Sequence, residues 1–252
     1  LNMSGHSKWA SIKHKKGAAD AKRGKIFTKH AKLITIAAKN GGDPDMNPGL
    51  RSAIDGAKSA NVPNANIDRA IKKGSGQDKD AVTYEEIFYE GFGPAGTALY
   101  IQVLTDNKNR TLSEVKSALT KKGGGMGSAG SAAWMFERKG LIVVPLEEGV
   151  DADEVELAAI DAGASDTARE GSVLEVHTGP TDLAKVRDAL KEAGIKFEEA
   201  DITYIPKQTV KIDTEEKAKK VLGLIELIEE NEDVAEVYCN FDMDPELMEQ
   251  AG

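Results

Sequence analysis

The side chains best placed to do chemistry in this sequence are lysines, and they gather at one end. Residues 1–40 hold ten Lys and Arg (Lys8, Lys13, Lys15, Lys16, Lys22, Arg23, Lys25, Lys29, Lys32 and Lys39) against one acid, Asp20, a local charge of +9. The 252-residue chain as a whole carries −9 at pH 7. A basic segment on an acidic protein suits a polyanion, which the segment attracts and the rest repels. His6 and Trp9 lie among these lysines. An indole in that company can stack on a base or tuck against a partner. The charges are mostly Lys, and no helix arrays Arg, Asn or Gln for base edges, so the pattern suits phosphate contact without sequence readout.

Catalytic and metal chemistry find little footing. The four histidines (His6, His14, His30 and His177) are scattered without metal-ligand spacing. Cys239 stands alone in an apolar run, which excludes an internal disulfide and reads as a buried, inert thiol in a reducing cytoplasm. No Gly-x-Ser-x-Gly elbow is present. Acidic pairs such as Glu147-Glu148 and Glu229-Glu230 fall on polar faces. Gly125, Gly127 and Gly130 match the dinucleotide spacing, but the run follows a helix and leads into Trp134-Met135-Phe136, so the fingerprint lacks its strand. It reads as a flexible hinge or an exposed Gly-rich loop, and an enzyme or scaffold with its site in that hinge is the minority alternative. No apolar run approaches the roughly 18 residues of a membrane span, and the charged N-terminus lacks a secretory core. The expectation is a cytoplasmic protein with no catalytic residue, metal or cofactor.

The elements that must position the basic residues follow from periodicity and turn residues. Residues 4–16 show no hydrophobic period and read as an extended, mobile arm. Residues 18–39 read as a helix with Ile26, Phe27, His30, Ile34, Ala37 and Ala38 on one stripe and Lys22, Lys25, Lys29 and Lys32 opposite. Asn47-Pro48 opens a second helix, and a third follows Pro63 with Asn64 as its cap and Gly74 as its stop. Arg69, Lys72 and Lys73 sit toward its end, where helix-dipole stabilisation and binding explain them equally well. From Val82 the pattern turns to strands about the GFGPAG turn, followed by the polar loop TDNKNRT and a helix over 112–122. Residues 134–206 spell β-α-β-β-α-β, the ferredoxin-like order. One further helix (214–231) and a closing strand (234–241) remain. Residues 1–80 carry +9 and residues 81–252 carry −18, which places a boundary near residue 80. The predicted architecture is α+β: a basic arm and three-helix domain (1–80), a discontinuous α+β domain (81–133 plus 207–252), and an inserted ferredoxin-like domain (134–206).

Four passages carry a resemblance. SGHSKWASIKHKKGAADAKRGKIFTK resembles the opening of the YebC/PmpR family, and NVPNANIDRAIKKGSG its third-helix segment. YEGFGPAGTALYIQVLTDNKNRT is similar to its Gly-Pro hairpin and Asn-Arg-Thr loop, and KKGGGMGSAGSAAWMFERKG to its Gly-rich passage. A departure is Ala132-Ala133 before Trp134, where many members have a β-branched residue and another aromatic. The family includes the mitochondrial translational activator of cytochrome c oxidase. The resemblance implies a helical domain followed by two α+β domains, one inserted in the other. It also implies either a DNA-binding transcriptional regulator or a factor acting in translation. The partner expected is nucleic acid, ribosomal RNA on the ribosome or duplex DNA, and no membrane. Lys8, Lys13, Lys15, Lys16, Lys22, Arg23, Lys25 and Lys29 are the expected phosphate contacts, with His6 and Trp9 stacking or hydrogen-bonding. Arg69, Lys72 and Lys73 form a second patch. Asn107, Asn109 and Arg110 are candidates by resemblance alone, a capped loop before a helix being their structural alternative.

Overall fold

The computed structural model describes residues 19–78, 82–147 and 149–251; the side chains of residues 19–22 and 170 lie outside that description. The chain divides into two compact units, Glu137–Ile205 and the remainder that flanks it.

In the larger unit the helices come first: α1 (Ala19–Ala38), α2 (Pro48–Ser59) and α3 (Asn64–Gly74). Asn47 both starts α2 and ties it to α1. Its Oδ1 accepts the Leu50 N–H at 3.1 Å, while its Nδ2 donates to the Ala37 and Gly41 carbonyls at 2.8 and 2.9 Å. Asn64 is not the cap expected for α3; it is the first helical residue, after Pro63, and no side chain caps that end. Ile34, Leu50, Ile54, Val62 and Ile67 form the core of the bundle. A methyl group at Gly74 would collide with the Thr35 carbonyl, so glycine lets the end of α3 lie directly on α1. Residues 79–81, where the charge boundary was expected, lie outside the described residues.

Next come β1 (Glu85–Phe92) and β2 (Ala98–Thr105), an antiparallel hairpin, and then α4 (Lys108–Lys121) and β3 (Gly125–Met126). After the smaller unit follow β8 (Val210–Ile212), α7 (Glu215–Glu229), β9 (Val234–Cys239), β10 (Phe241–Met243) and α8 (Pro245–Ala251). The main sheet has the order β3-β1-β2-β9, so segments on both sides of the insertion share it. One face packs Leu99, Ile101 and Val103 against Val115 and Leu119 of α4 and Leu222 and Ile225 of α7. The sequence suggested one closing strand from 234 to 241; Asn240 breaks it. Its Oδ1 accepts the Ala98 N–H and its carbonyl accepts the Val210 N–H, both at 2.7 Å, so one residue passes the chain from the main sheet to the parallel pair β8-β10. Helix α8, which burial of Met248 holds in place, was not legible.

The smaller unit runs β4 (Phe136–Pro145), α5 (Ala152–Ala162), β5 (Asp166–Glu170), β6 (Val173–Thr178), α6 (Leu183–Glu192) and β7 (Glu199–Pro206). The sheet order β5-β6-β4-β7 is ferredoxin-like, as the pattern predicted. Ile142, Val144, Leu174 and Val176 pack beneath Val155 and Ala159 of α5 and Val186 and Leu190 of α6.

Candidate nucleic-acid interface

Lys8, Lys13, Lys15 and Lys16, with His6 and Trp9, lie outside the described residues, as does the side chain of Lys22. The lysines that follow on α1 are not left to solvent alone, as periodicity suggested, although Lys25 is exposed. Lys25 Nζ donates to the Glu229 carbonyl at 2.5 Å, at the end of α7. Lys29 pairs with Glu236 of β9 at 3.3 Å. Lys32 donates to the Leu104 and Glu232 carbonyls, both at 3.0 Å, and to Asp233 at 3.2 Å, and lies 5.2 Å from the centre of the Tyr84 ring. The reason is electrostatic: the edge of the sheet near α1 is acidic, and α1 packs its apolar stripe on the bundle and its lysines on that edge. Lys25 and Lys29 are therefore engaged by the chain itself. Arg23 is exposed at the start of α1, and Arg69, Lys72 and Lys73 are exposed on α3, Lys72 and Lys73 in its last turn.

The family-motif loop has a structural employment. Asn107 Oδ1 accepts the Arg110 N–H at 3.1 Å and caps α4, which begins within what the sequence suggested was loop. Arg110 pairs with Asp106 at 2.8 Å and with Asp233 at 2.6 Å; Asn109 is exposed. Asp233 is the centre of this arrangement. Its carboxylate also accepts from Thr111 at 2.8 Å and Thr105 at 3.0 Å, besides Lys32. Burial alone would raise its pKa, but the hydrogen bonds from Arg110, Thr111, Lys32 and Thr105 hold it down at about 2. One buried carboxylate thus joins α1, β2, α4 and the turn before β9.

A second buried carboxylate was missed from the sequence. Glu90 of β1 accepts the backbone N–H groups of Gly130 and Ala132 at 2.6 Å and of Ala133 at 2.7 Å, while its own carbonyl accepts the Gly127 N–H at 2.8 Å. Burial opposes ionisation, yet these three donors hold its pKa below the usual carboxylate range. The Gly-rich run is therefore pinned, not the flexible hinge one reading expected. The faint signal was an acid between Tyr89 and the GFGPAG turn, set apart from the Glu85-Glu86 pair that opens the strand.

Elsewhere the chemistry is quiet. Cys239 is buried, which pushes its thiol up to about 12 and leaves it unreactive. His177 lies 3.2 Å from the fully buried Glu175 on β6. Among the described residues no group of three His, Cys, Asp or Glu could hold a metal ion, and no helix is long and apolar enough to cross a membrane.

Fold and surface define a class: a protein with an N-terminal helical module carrying exposed cations, followed by α+β layers, one of them an insertion. Comparison with known proteins identifies the class. Residues 7–77 match the model of the TACO1/YebC N-terminal domain, and residues 84–241 match that of the TACO1/YebC second and third domains. The chain belongs to the YebC/TACO1 family. A probable transcriptional regulatory protein of Halothermothrix orenii is 50% identical over 250 residues, covering 98% of both chains. One from Geotalea uraniireducens is 53% identical over 249 residues, covering 98% of this chain and 99% of its own. The crystal structure of a conserved hypothetical protein, Aq1575 of Aquifex aeolicus, superimposes with a TM-score of 0.80 at 43% identity, covering 90% of this chain and 93% of that one.

Proposed function

We propose that this chain is a non-enzymatic, nucleic-acid-binding regulator of gene expression that acts in the cytoplasm on the ribosome, contacting ribosomal RNA. The observation that carries the reading is the charge of +9 in residues 1–40 on a chain of net −9. Lys8, Lys13, Lys15, Lys16, Lys22 and Arg23 serve as the phosphate contacts, His6 and Trp9 stack or hydrogen-bond, and Arg69, Lys72 and Lys73 extend the surface. Phosphate contact by lysine neutralises charge without reading base edges, which suits a folded RNA. Acidic surface elsewhere limits indiscriminate coating of the RNA.

A second reading is a duplex-DNA transcription regulator, and it rests on the name shared by the relatives, probable transcriptional regulatory protein. The two differ in salt dependence and sequence preference. Binding of the full chain to a structured ribosomal RNA fragment should weaken linearly on a log–log salt plot, at about 0.7–0.9 per neutralised phosphate. Replacing Lys8, Lys13, Lys15 and Lys16 with Gln should lower that slope by roughly three and weaken all sequences alike. A duplex preference that survives moderate salt supports the transcription reading instead.

A further inference from the structure

We propose that Trp134 and the pinned Gly-rich loop beneath it form a stacking shelf for an unpaired nucleobase, a second contact to nucleic acid separate from the lysine arm. The inference rests on the nucleic-acid reading above and adds a site to it. Trp134 is 60% exposed although it is the bulkiest side chain in its segment. An indole face open to water is a platform on which an unpaired base can stack. The ring is also held in place. Its Nε1 donates to the Ser131 carbonyl at 3.1 Å, so the indole has no hydrogen bond left to offer and presents its face.

The backbone under it is equally fixed. Ser131 N donates to the Ser128 carbonyl at 3.0 Å, and Glu90 clamps the N–H groups of Gly130, Ala132 and Ala133. A rigid aromatic loses little conformational entropy when a planar ligand lands on it. The neighbouring residues bear on the kind of ligand. Ser128, Ala129, Gly130, Ser131, Ala132 and Ala133 lead up to the indole in the chain, all small, where a protein-binding hot spot would bring branched apolar side chains. Phe92, 36% exposed, is the other open aromatic of this loop region: a methyl at Gly127 would come within 3.3 Å of its ring. Residues 121–136 contain Lys121 and Lys122 and no acid, and the Glu90 carboxylate behind the loop is buried and covered by the three N–H groups it accepts, which screens its charge from a phosphate outside. Planar face, engaged Nε1, rigid backbone and small neighbouring residues together describe a base-stacking position.

The test uses the full chain carrying Trp9→Phe, which leaves Trp134 as the one indole of the two in the sequence. The probes are a single-stranded uridine dodecamer and an abasic RNA of the same length and phosphate number. The shelf predicts quenching of Trp134 fluorescence by the uridine strand and not by the abasic one. In the otherwise unaltered chain, Trp134→Ala should weaken uridine binding roughly tenfold and Trp134→Phe by no more than about threefold. Neither should change abasic binding, and circular dichroism should report an unchanged fold. If both strands bind but the fluorescence is unmoved and Trp134→Ala binds like its parent, the shelf is wrong while the arm reading stands. If neither strand binds, nor a structured RNA, the nucleic-acid reading fails and takes the shelf with it.

Discussion

Two carboxylates show how single residues set the architecture. Asp233 has a pKa held at about 2, below its ordinary value, so its contribution is fully present above the ordinary carboxylate pKa and is lost as pH falls toward 2. That contribution is worth about 2.5 kcal/mol at neutral pH. Asp233→Asn leaves Arg110 and Lys32 without their shared anion and should cost roughly 3 kcal/mol in urea unfolding at pH 7, the deficit shrinking as the pH is lowered through 4 toward 2. Glu90 acts on a loop instead. Glu90→Ala orphans three N–H groups, and amide exchange at Gly130, Ala132 and Ala133 should accelerate by about tenfold or more, with Glu90→Gln intermediate because one carbonyl oxygen remains to accept. Neither role was legible in the sequence. An acid in a strand looks like a solvated position until the segment 40 residues downstream that folds over it is known. Asn107 is the opposite case: its cap is local, spans three residues, and was open to reading as such.

At the scale of elements, the sequence was most informative where one partner face decides the outcome. The apolar stripe of α1 and the β-α-β-β-α-β alternation read over residues 134–206 both appear as expected, the first strand starting at Phe136. It was least informative where an element has two partners. Charge alone assigns the lysine side of α1 to solvent, but Glu236, Asp233 and the Glu229 carbonyl meet it. Periodicity cannot report a distant acid. Nor can it report Asn240, whose side chain and carbonyl serve two different strands and so divide a continuous apolar run. The engagement of Lys29 has a measurable consequence. Lys29→Gln should change nucleic-acid affinity by less than about twofold, because an exposed phosphate contact is not what it loses, while Lys8→Gln, Lys13→Gln and Lys15→Gln each reduce the salt slope by roughly one.

For the whole molecule the central fact is division of charge. Residues 137–205 hold 7 Lys and Arg against 17 Asp and Glu, a net −10, on a unit with its own sheet and core. The Lys207 N–H donates to the Met135 carbonyl at 2.8 Å, so the chain enters and leaves that unit through adjacent backbone. Replacing residues 137–205 with a short Gly-Ser linker should therefore leave the remaining unit folded and its affinity for RNA equal or higher, read by electrophoretic mobility shift. The most direct test of the central claim is cosedimentation with ribosomes at near-physiological salt, with duplex DNA as competitor, for the full chain and for a chain lacking residues 1–18. If the basic N-terminal segment carries ribosome binding, the full chain pellets with ribosomes, excess duplex DNA does not strip it away, and the shortened chain stays in the supernatant. Release by the DNA, or equal pelleting of the shortened chain, would contradict it.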